Sequence, residues 1–158
     1  MIAIAIIGIL ALVLIPKVAG LKNTARESGL DTNVRIAVSV AEAMIDQNTA
    51  DGAGCLKIEA DIATKLAANG GKNPITKATS CLEATEDPAL ADGNRAFTYV
   101  EAADAAAEAG AEVLTATSAT LAGVVKYDAY VTGGKLYVTF MPYDASGVAL
   151  TGRVATTN

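Results

Sequence analysis

The chain begins with an unbroken apolar run over residues 1–15, and the first charged residue is Lys17. As a helix this run would be about 22 Å long, shorter than the roughly 30 Å hydrocarbon core of a bilayer. We therefore expect a few residues to precede Met1. Such a segment needs a membrane, a protein interior, or the matching segment of another copy as its surroundings. A buried central helix of a single domain is the alternative interpretation.

Beyond Pro16 apolar residues recur at helical spacing, and polar residues fall largely between them. The helix is predicted to end near Gln47 or Asn48, which would make it about 70 Å long from Met1. Because this length exceeds the width of a small domain, the first half is expected to project and the second half to pack on a globular body. Pro16 is expected to kink or loosen the helix. The apolar stripe of the second half consists of Val34, Ala37, Val38, Ala41, Met44 and Ile45.

The rest of the chain predicts a head built on this helix. Residues 58–68 are predicted to form a short helix, closed by the sequence NGG, and residues 82–95 to form a loop. Residues 96–100 are a candidate strand. The strongest β pattern lies in residues 124–131 and 135–141, which flank a Thr-Gly-Gly turn and predict a hairpin.

Residues 148–156 are predicted to add a third antiparallel strand to this hairpin. The predicted fold class is therefore α+β, with a long N-terminal helix and a C-terminal antiparallel β-meander head. We place the division between a hydrophobic projecting helix, residues 1–24, and a globular head, residues 25–158. The seven aromatic residues all lie from Phe97 onward and are expected in the sheet.

Charge limits the possible partners. The net charge is −5 and the pI about 4.6, which argues against nucleic acid as a direct partner because phosphate binding needs a basic face. The acidic residues between positions 83 and 112 are interpreted as a solvated surface, since no loop has the carboxylate spacing of an EF-hand. A calcium site is the alternative. These residues are Glu83, Glu86, Asp87, Asp92, Glu101, Asp104, Glu108 and Glu112.

Candidate chemistry is sparse. The chain has no histidine, which excludes Ser-His-Asp and Cys-His catalysis and leaves a zinc site with at most two cysteine ligands. We expect no enzyme activity, no cofactor and no metal. The two cysteines, Cys55 and Cys81, are expected to form a disulfide outside the cytoplasm, where a loop of about 26 residues would stabilise the fold by up to about 3.5 kcal/mol. Two unrelated buried thiols are the alternative.

The segment AIAIIGILALVLIPK resembles the N-terminal helix of bacterial type IV pilins, with Gly8 and Pro16 at the family's spacing. The close likeness covers about the first 25 residues, and Met1 falls at about the seventh mature position of the family. The family's leader, N-methylated phenylalanine and glutamate would then lie upstream. About six more residues would extend the apolar run to about 31 Å, enough to span a bilayer.

The resemblance implies a structural subunit of an extracellular filament that is held in the cytoplasmic or inner membrane before assembly. Its partners would be other copies of itself, the pilus assembly machinery and a prepilin peptidase. Gly8 and Pro16 would mark a hinge or melted segment. The residues expected to pack in the filament core are Ile2, Ile4, Ile6, Ile7, Ile9, Leu10, Leu12, Val13, Leu14 and Ile15.

Two observations bear on the orientation of the chain in the membrane. Lys17, Lys22 and Arg26 follow the apolar run, and the positive-inside rule applied to this chain alone would place the head in the cytoplasm. The cysteine pair favours the outside, as would a basic leader upstream. Adhesion, motility and DNA uptake by the filament all stay open. The alternatives are a pseudopilin of a type II secretion or competence system and a membrane-tethered extracytoplasmic binding module.

Overall fold

A computed structural model describes residues 2–78, 80–81, 95–99 and 117–158, and for residues 2–5, 11–19, 80 and 81 it describes the backbone alone. Two helices, α1 (Ile2–Ile45) and α2 (Gly52–Asn69), precede the strands β1 (Ser80–Cys81), β2 (Arg95–Tyr99), β3 (Val125–Thr132), β4 (Lys135–Pro142) and β5 (Ala155–Thr157). Short 3-10 helices lie at Ala119–Leu121 and Thr151–Arg153. The predicted α+β class is confirmed.

The strands form one mixed sheet in the order β1-β2-β3-β4-β5. The β3–β4 hairpin is confirmed: Thr132 pairs with Lys135 around Gly133 and Gly134, which both have positive φ, as a tight two-residue turn requires. The prediction of an antiparallel meander is wrong for β1 and β2, because β1–β2 and β2–β3 pair in parallel. Residues 100–124 separate β2 from β3, which is enough chain for the crossover that parallel strands need.

The third predicted strand is much shorter than expected. Only Ala155–Thr157 pairs with β4, and Ala149 makes an isolated bridge to Tyr143. The 3-10 helix at Thr151–Arg153 interrupts the strand and lets Arg153 turn toward α1. Its guanidinium then bonds Glu27 at 3.0 Å and Asp31 at 3.2 Å.

Both helix boundaries near residue 50 differ from the prediction. Helix α1 ends at Ile45 because Gln47 and Asn48 donate backbone bonds to the carbonyls of Met44 and Ile45, which closes the helix in tighter turns. Helix α2 begins six residues earlier than predicted, since the Asp51 side chain accepts a bond from the Gly54 N–H and caps it. This cap was not predicted from the sequence.

The main core lies between the two helices and one face of the sheet. The predicted stripe of α1 is confirmed: Val34, Ala37, Ala41 and Ile45 are buried, and Val38 and Met44 pack on the same cluster. Aromatic rings make up much of the sheet's contribution, with Tyr99 stacked on Tyr127 at 5.3 Å between ring centres. Leu30 is the first core residue among the described side chains of α1, so the part of α1 that packs on the body begins there.

Candidate functional site

The first candidate surface is a set of exposed apolar side chains on α1. Ile6, Ile7, Ile9 and Leu10 are between 52% and 68% exposed, and Leu21 is 70% exposed. These residues do not contribute to either core cluster. A set of large aliphatic side chains on one helix, open to water, is the kind of surface that associates with another apolar surface.

The other predicted filament-core residues lie where only the backbone is described. They are Ile2, Ile4, Leu12, Val13, Leu14 and Ile15. The helix backbone is continuous through Gly8 and Pro16. A β-carbon at Gly8 would meet nothing within 4 Å, so no steric contact within the subunit requires glycine at this position. The hinge role of Gly8 and Pro16 stays a prediction. Among the residues whose side chains are described, neither helix has a segment that is long and apolar enough to cross a membrane.

The disulfide between Cys55 and Cys81 stays a prediction. Cys55 is buried in the first half of α2, and this helix packs against β1, which contains Cys81. The Cys81 side chain lies outside the described residues, as do the acidic residues from Glu83 to Glu112. Within the described ranges, no group of three His, Cys, Asp or Glu side chains comes together as a metal site.

A second candidate surface is an open groove of about 610 Å³ between α1 and the loop that follows α2. Four basic side chains line it: Lys22 and Arg26 from α1, and Lys72 and Lys77 from the loop. None of the described residues that line the groove is acidic. From the sequence, Lys22 and Arg26 bear only on the orientation of the chain in the membrane. The groove was not predicted, because Lys72 and Lys77 lie about fifty residues away along the chain.

The loop side of this groove is held by a buried asparagine. The Asn73 side-chain amide donates to the backbone carbonyls of Arg95 at 2.7 Å and Ala122 at 2.9 Å. Its oxygen accepts from the N–H groups of Ile75 at 2.8 Å and Thr76 at 3.0 Å. One side chain thus joins the loop to β2 and to the segment before β3, which fixes the backbone that carries Lys72 and Lys77.

Buried polar groups elsewhere serve the fold. The fully buried Glu59 of α2 accepts a bond at its side-chain oxygen from the Ala129 N–H, and its backbone carbonyl accepts one from the Tyr127 hydroxyl at 3.0 Å. Burial raises the pKa of Tyr143 to about 12. At the exposed cap of α2, bonds from the Gly54 N–H and then from Thr49 lower the pKa of Asp51. These groups are dispersed and do not converge on one cavity.

No family model, curated protein or solved structure matches the chain. The resemblance to pilins therefore depends on the N-terminal residues alone.

Proposed function

We propose that the chain is the structural subunit of an extracellular type IV pilus-like filament, assembled by packing of its N-terminal helices. The observation that carries this proposal is the exposure of Ile6, Ile7, Ile9 and Leu10 on α1, outside the core of the head. The Gly8 and Pro16 spacing supports the same assignment. In this proposal the first half of α1 projects from a head built on its second half.

The driving force is a change of surroundings for one helix. Before assembly the apolar half of α1 lies in the membrane; afterwards the same side chains pack against those of neighbouring copies. Exposing these side chains to water would cost about 1–2 kcal/mol for each of the four, so the helix leaves the membrane only where neighbouring copies cover the same surface. Because the contact is head-to-tail between identical subunits and does not close, repetition gives an open helical filament.

The test is assembly in the native host with the full encoded chain. We expect a sheared surface fraction of long fibres that contain this protein, visible by electron microscopy. Replacing Ile7 or Ile9 by Lys should reduce that fraction at least tenfold, because a charge in a dry helix core lacks a partner. The matched control is Val148→Lys, which places the same charge on an exposed apolar residue of the head and should leave the fibres intact.

The membrane fraction is measured in parallel, so that a variant that fails to insert is not mistaken for one that fails to assemble. Short membrane-rooted fibres would favour the pseudopilin. A chain that stays monomeric on the cell, and that keeps its activity when the first helix is removed, would be a tethered binding module. Either result contradicts the pilus subunit.

A further inference from the structure

The groove between α1 and the loop after α2 concentrates positive charge in an acidic protein. Lys22, Arg26, Lys72 and Lys77 are four of the twelve basic residues of the chain, whose net charge is −5. We refer to the surface formed by these four residues as the basic groove. Three of the four side chains are exposed and Arg26 is half-buried, so the cationic groups can reach a ligand from solvent.

Hydrogen bonds within the protein hold the loop side of the basic groove in place. The Asn33 side chain of α1 donates to the backbone carbonyl of Lys72 at 2.9 Å, which ties the loop to the helix. Lys77 is the only non-glycine residue with positive φ in the described part of the chain, and its ammonium group donates to the Pro74 carbonyl at 3.1 Å. A fixed backbone reduces the ordering entropy that a bound anion would otherwise require.

The nearest acidic residues of α1 do not cancel this charge. Glu27 and Asp31 lie within five residues of Arg26 along α1 but do not line the groove, and both bond the guanidinium of Arg153. Arg153 belongs to the separate 3-10 helix before β5 and does not line the groove. The carboxylates are therefore already engaged by a cation from another element.

Position along α1 indicates the kind of anion. Lys22 directly follows Leu21, which is apolar and 70% exposed, and Arg26 lies one helical turn further on. At 1.5 Å per residue these two charges lie about 10 and 16 Å beyond Ile15, where the apolar run of the sequence ends. When the run lies in the hydrocarbon core, the polar headgroup layer extends roughly 5–8 Å beyond its end, so Lys22 lies just outside this layer and its long side chain can reach back into it.

We propose that the basic groove binds the phosphate headgroup of an anionic phospholipid in the membrane that holds α1 before assembly. The inference rests on the membrane stage of the proposed function. Basic side chains next to an inserted helix bind anionic lipid, and here two loop lysines face two helix cations across one groove. The headgroup would hold the head at a defined height and rotation above the bilayer, ready for extraction.

The experiment uses the full chain reconstituted in vesicles of phosphatidylcholine, either alone or with about 30% phosphatidylglycerol. Lysine acylation rates are measured by mass spectrometry, and flotation confirms insertion. We expect labelling of Lys72 and Lys77 to slow at least threefold in the anionic vesicles. The exposed Lys65 and Lys135, outside the groove, report the general effect of the charged surface. Salt at about 0.5 M should remove the protection.

A second arm does not depend on insertion. The detergent-solubilised full chain is titrated with short-chain phosphatidylglycerol, short-chain phosphatidylcholine or inorganic phosphate, and binding is followed by the same labelling. We expect saturable protection by the anionic lipid alone, weakened about tenfold in a variant with Lys72→Gln and Lys77→Gln. The matched control carries Lys65→Gln and Lys135→Gln and should bind as the unchanged chain does.

The outcomes separate the two proposals. Equal protection by inorganic phosphate would identify a general phosphate site and overturn the lipid assignment. Protection that grows with protein density in neutral vesicles would identify an acidic surface of a second copy instead. Absence of protection in both arms overturns the inference and leaves the filament proposal standing. Failure to float with vesicles, with binding intact in the second arm, contradicts the membrane stage alone.

Discussion

The side chain of Glu59 accepts a hydrogen bond from the backbone N–H of Ala129 at 2.9 Å, and both residues are fully buried. Ala129 lies two residues beyond Tyr127, the last residue of β3 with a described partner in β2. The Glu59 side chain thus accepts a hydrogen bond from an N–H group of β3 that lies beyond the described pairing of β3 with β2. Because the Tyr127 hydroxyl also bonds the Glu59 carbonyl, one residue joins helix and sheet twice.

Replacing Glu59 by Ala should lower the free energy of unfolding by about 2–3 kcal/mol, since the Ala129 N–H would be left buried without an acceptor. Glu59→Gln keeps an acceptor oxygen and should lose clearly less. Chemical denaturation of the chain measures both. The control is Glu42→Ala on the exposed side of α1, which should change stability by less than about 0.5 kcal/mol. Equal losses for the Ala and Gln variants would contradict this role.

A second prediction concerns Gly147, in the turn before the bridge to Tyr143. Its φ is +75°, and an added β-carbon would overlap the Ser118 carbonyl oxygen. We expect Gly147→Ala to destabilise the fold by about 2–4 kcal/mol, from left-handed strain together with the clash. Gly152→Ala is the matched control, because nothing lies within 4 Å and its φ is not positive. Thermal melts of the two variants should differ clearly; a neutral Gly147→Ala would show that this turn shifts freely.

Acid should weaken the cap of α2. The folded-state pKa of Asp51 lies below its ordinary value of 3.8, through the bond from Gly54 and then that from Thr49. The stabilisation is therefore complete above the unfolded-state pKa and is lost as pH falls through the folded-state pKa. Asp51→Asn retains a capping oxygen but does not titrate, so its stability should depend less on pH below about 4. Parallel curves for the two proteins would contradict the assignment.

Tyr143 should titrate late in alkali. Burial raises the pKa of Tyr143 to about 12 from the ordinary value of 10.0. Tyr143 therefore contributes fully to the free energy of unfolding at pH below its unfolded-state pKa. This contribution is lost as pH rises through about 12. Absorbance titration of the native chain should show a step near pH 12 that is absent in Tyr143→Phe. If that variant titrates like the unchanged protein, the late group is another residue.

The cysteine pair stays a prediction with a direct test. The unreduced, denatured chain should expose no reactive thiol, and reduction should lower the free energy of unfolding by up to about 3.5 kcal/mol. Thiol labelling with mass spectrometry measures the first, and denaturation with and without reductant the second. Cys55→Ser together with Cys81→Ser is the control that reductant should not affect. Two reactive thiols before reduction would exclude the bridge.

The local pattern of apolar and polar residues was sufficient to predict features that depend on a single helix face or a single turn. The spacing of Val34, Ala37, Ala41 and Ile45 predicts the buried side of α1, and a Gly-Gly turn between alternating strands predicts the β3–β4 hairpin. Both depend on helical or strand periodicity and on turn geometry, which act within a few residues. The need of the apolar start of α1 for an apolar environment was also predictable, because its composition is unstable in water.

Tertiary structure decided whatever joins distant residues. The parallel pairing of β2 with β3 depends on the path of the intervening chain. The shortening of the last strand depends on the contacts that Arg153 makes with Glu27 and Asp31 on α1. The basic groove exists only because Asn33 and Asn73 hold a loop some fifty residues away beside Lys22 and Arg26. Periodicity carries no information about such contacts, because their free energy depends on where the folded chain returns.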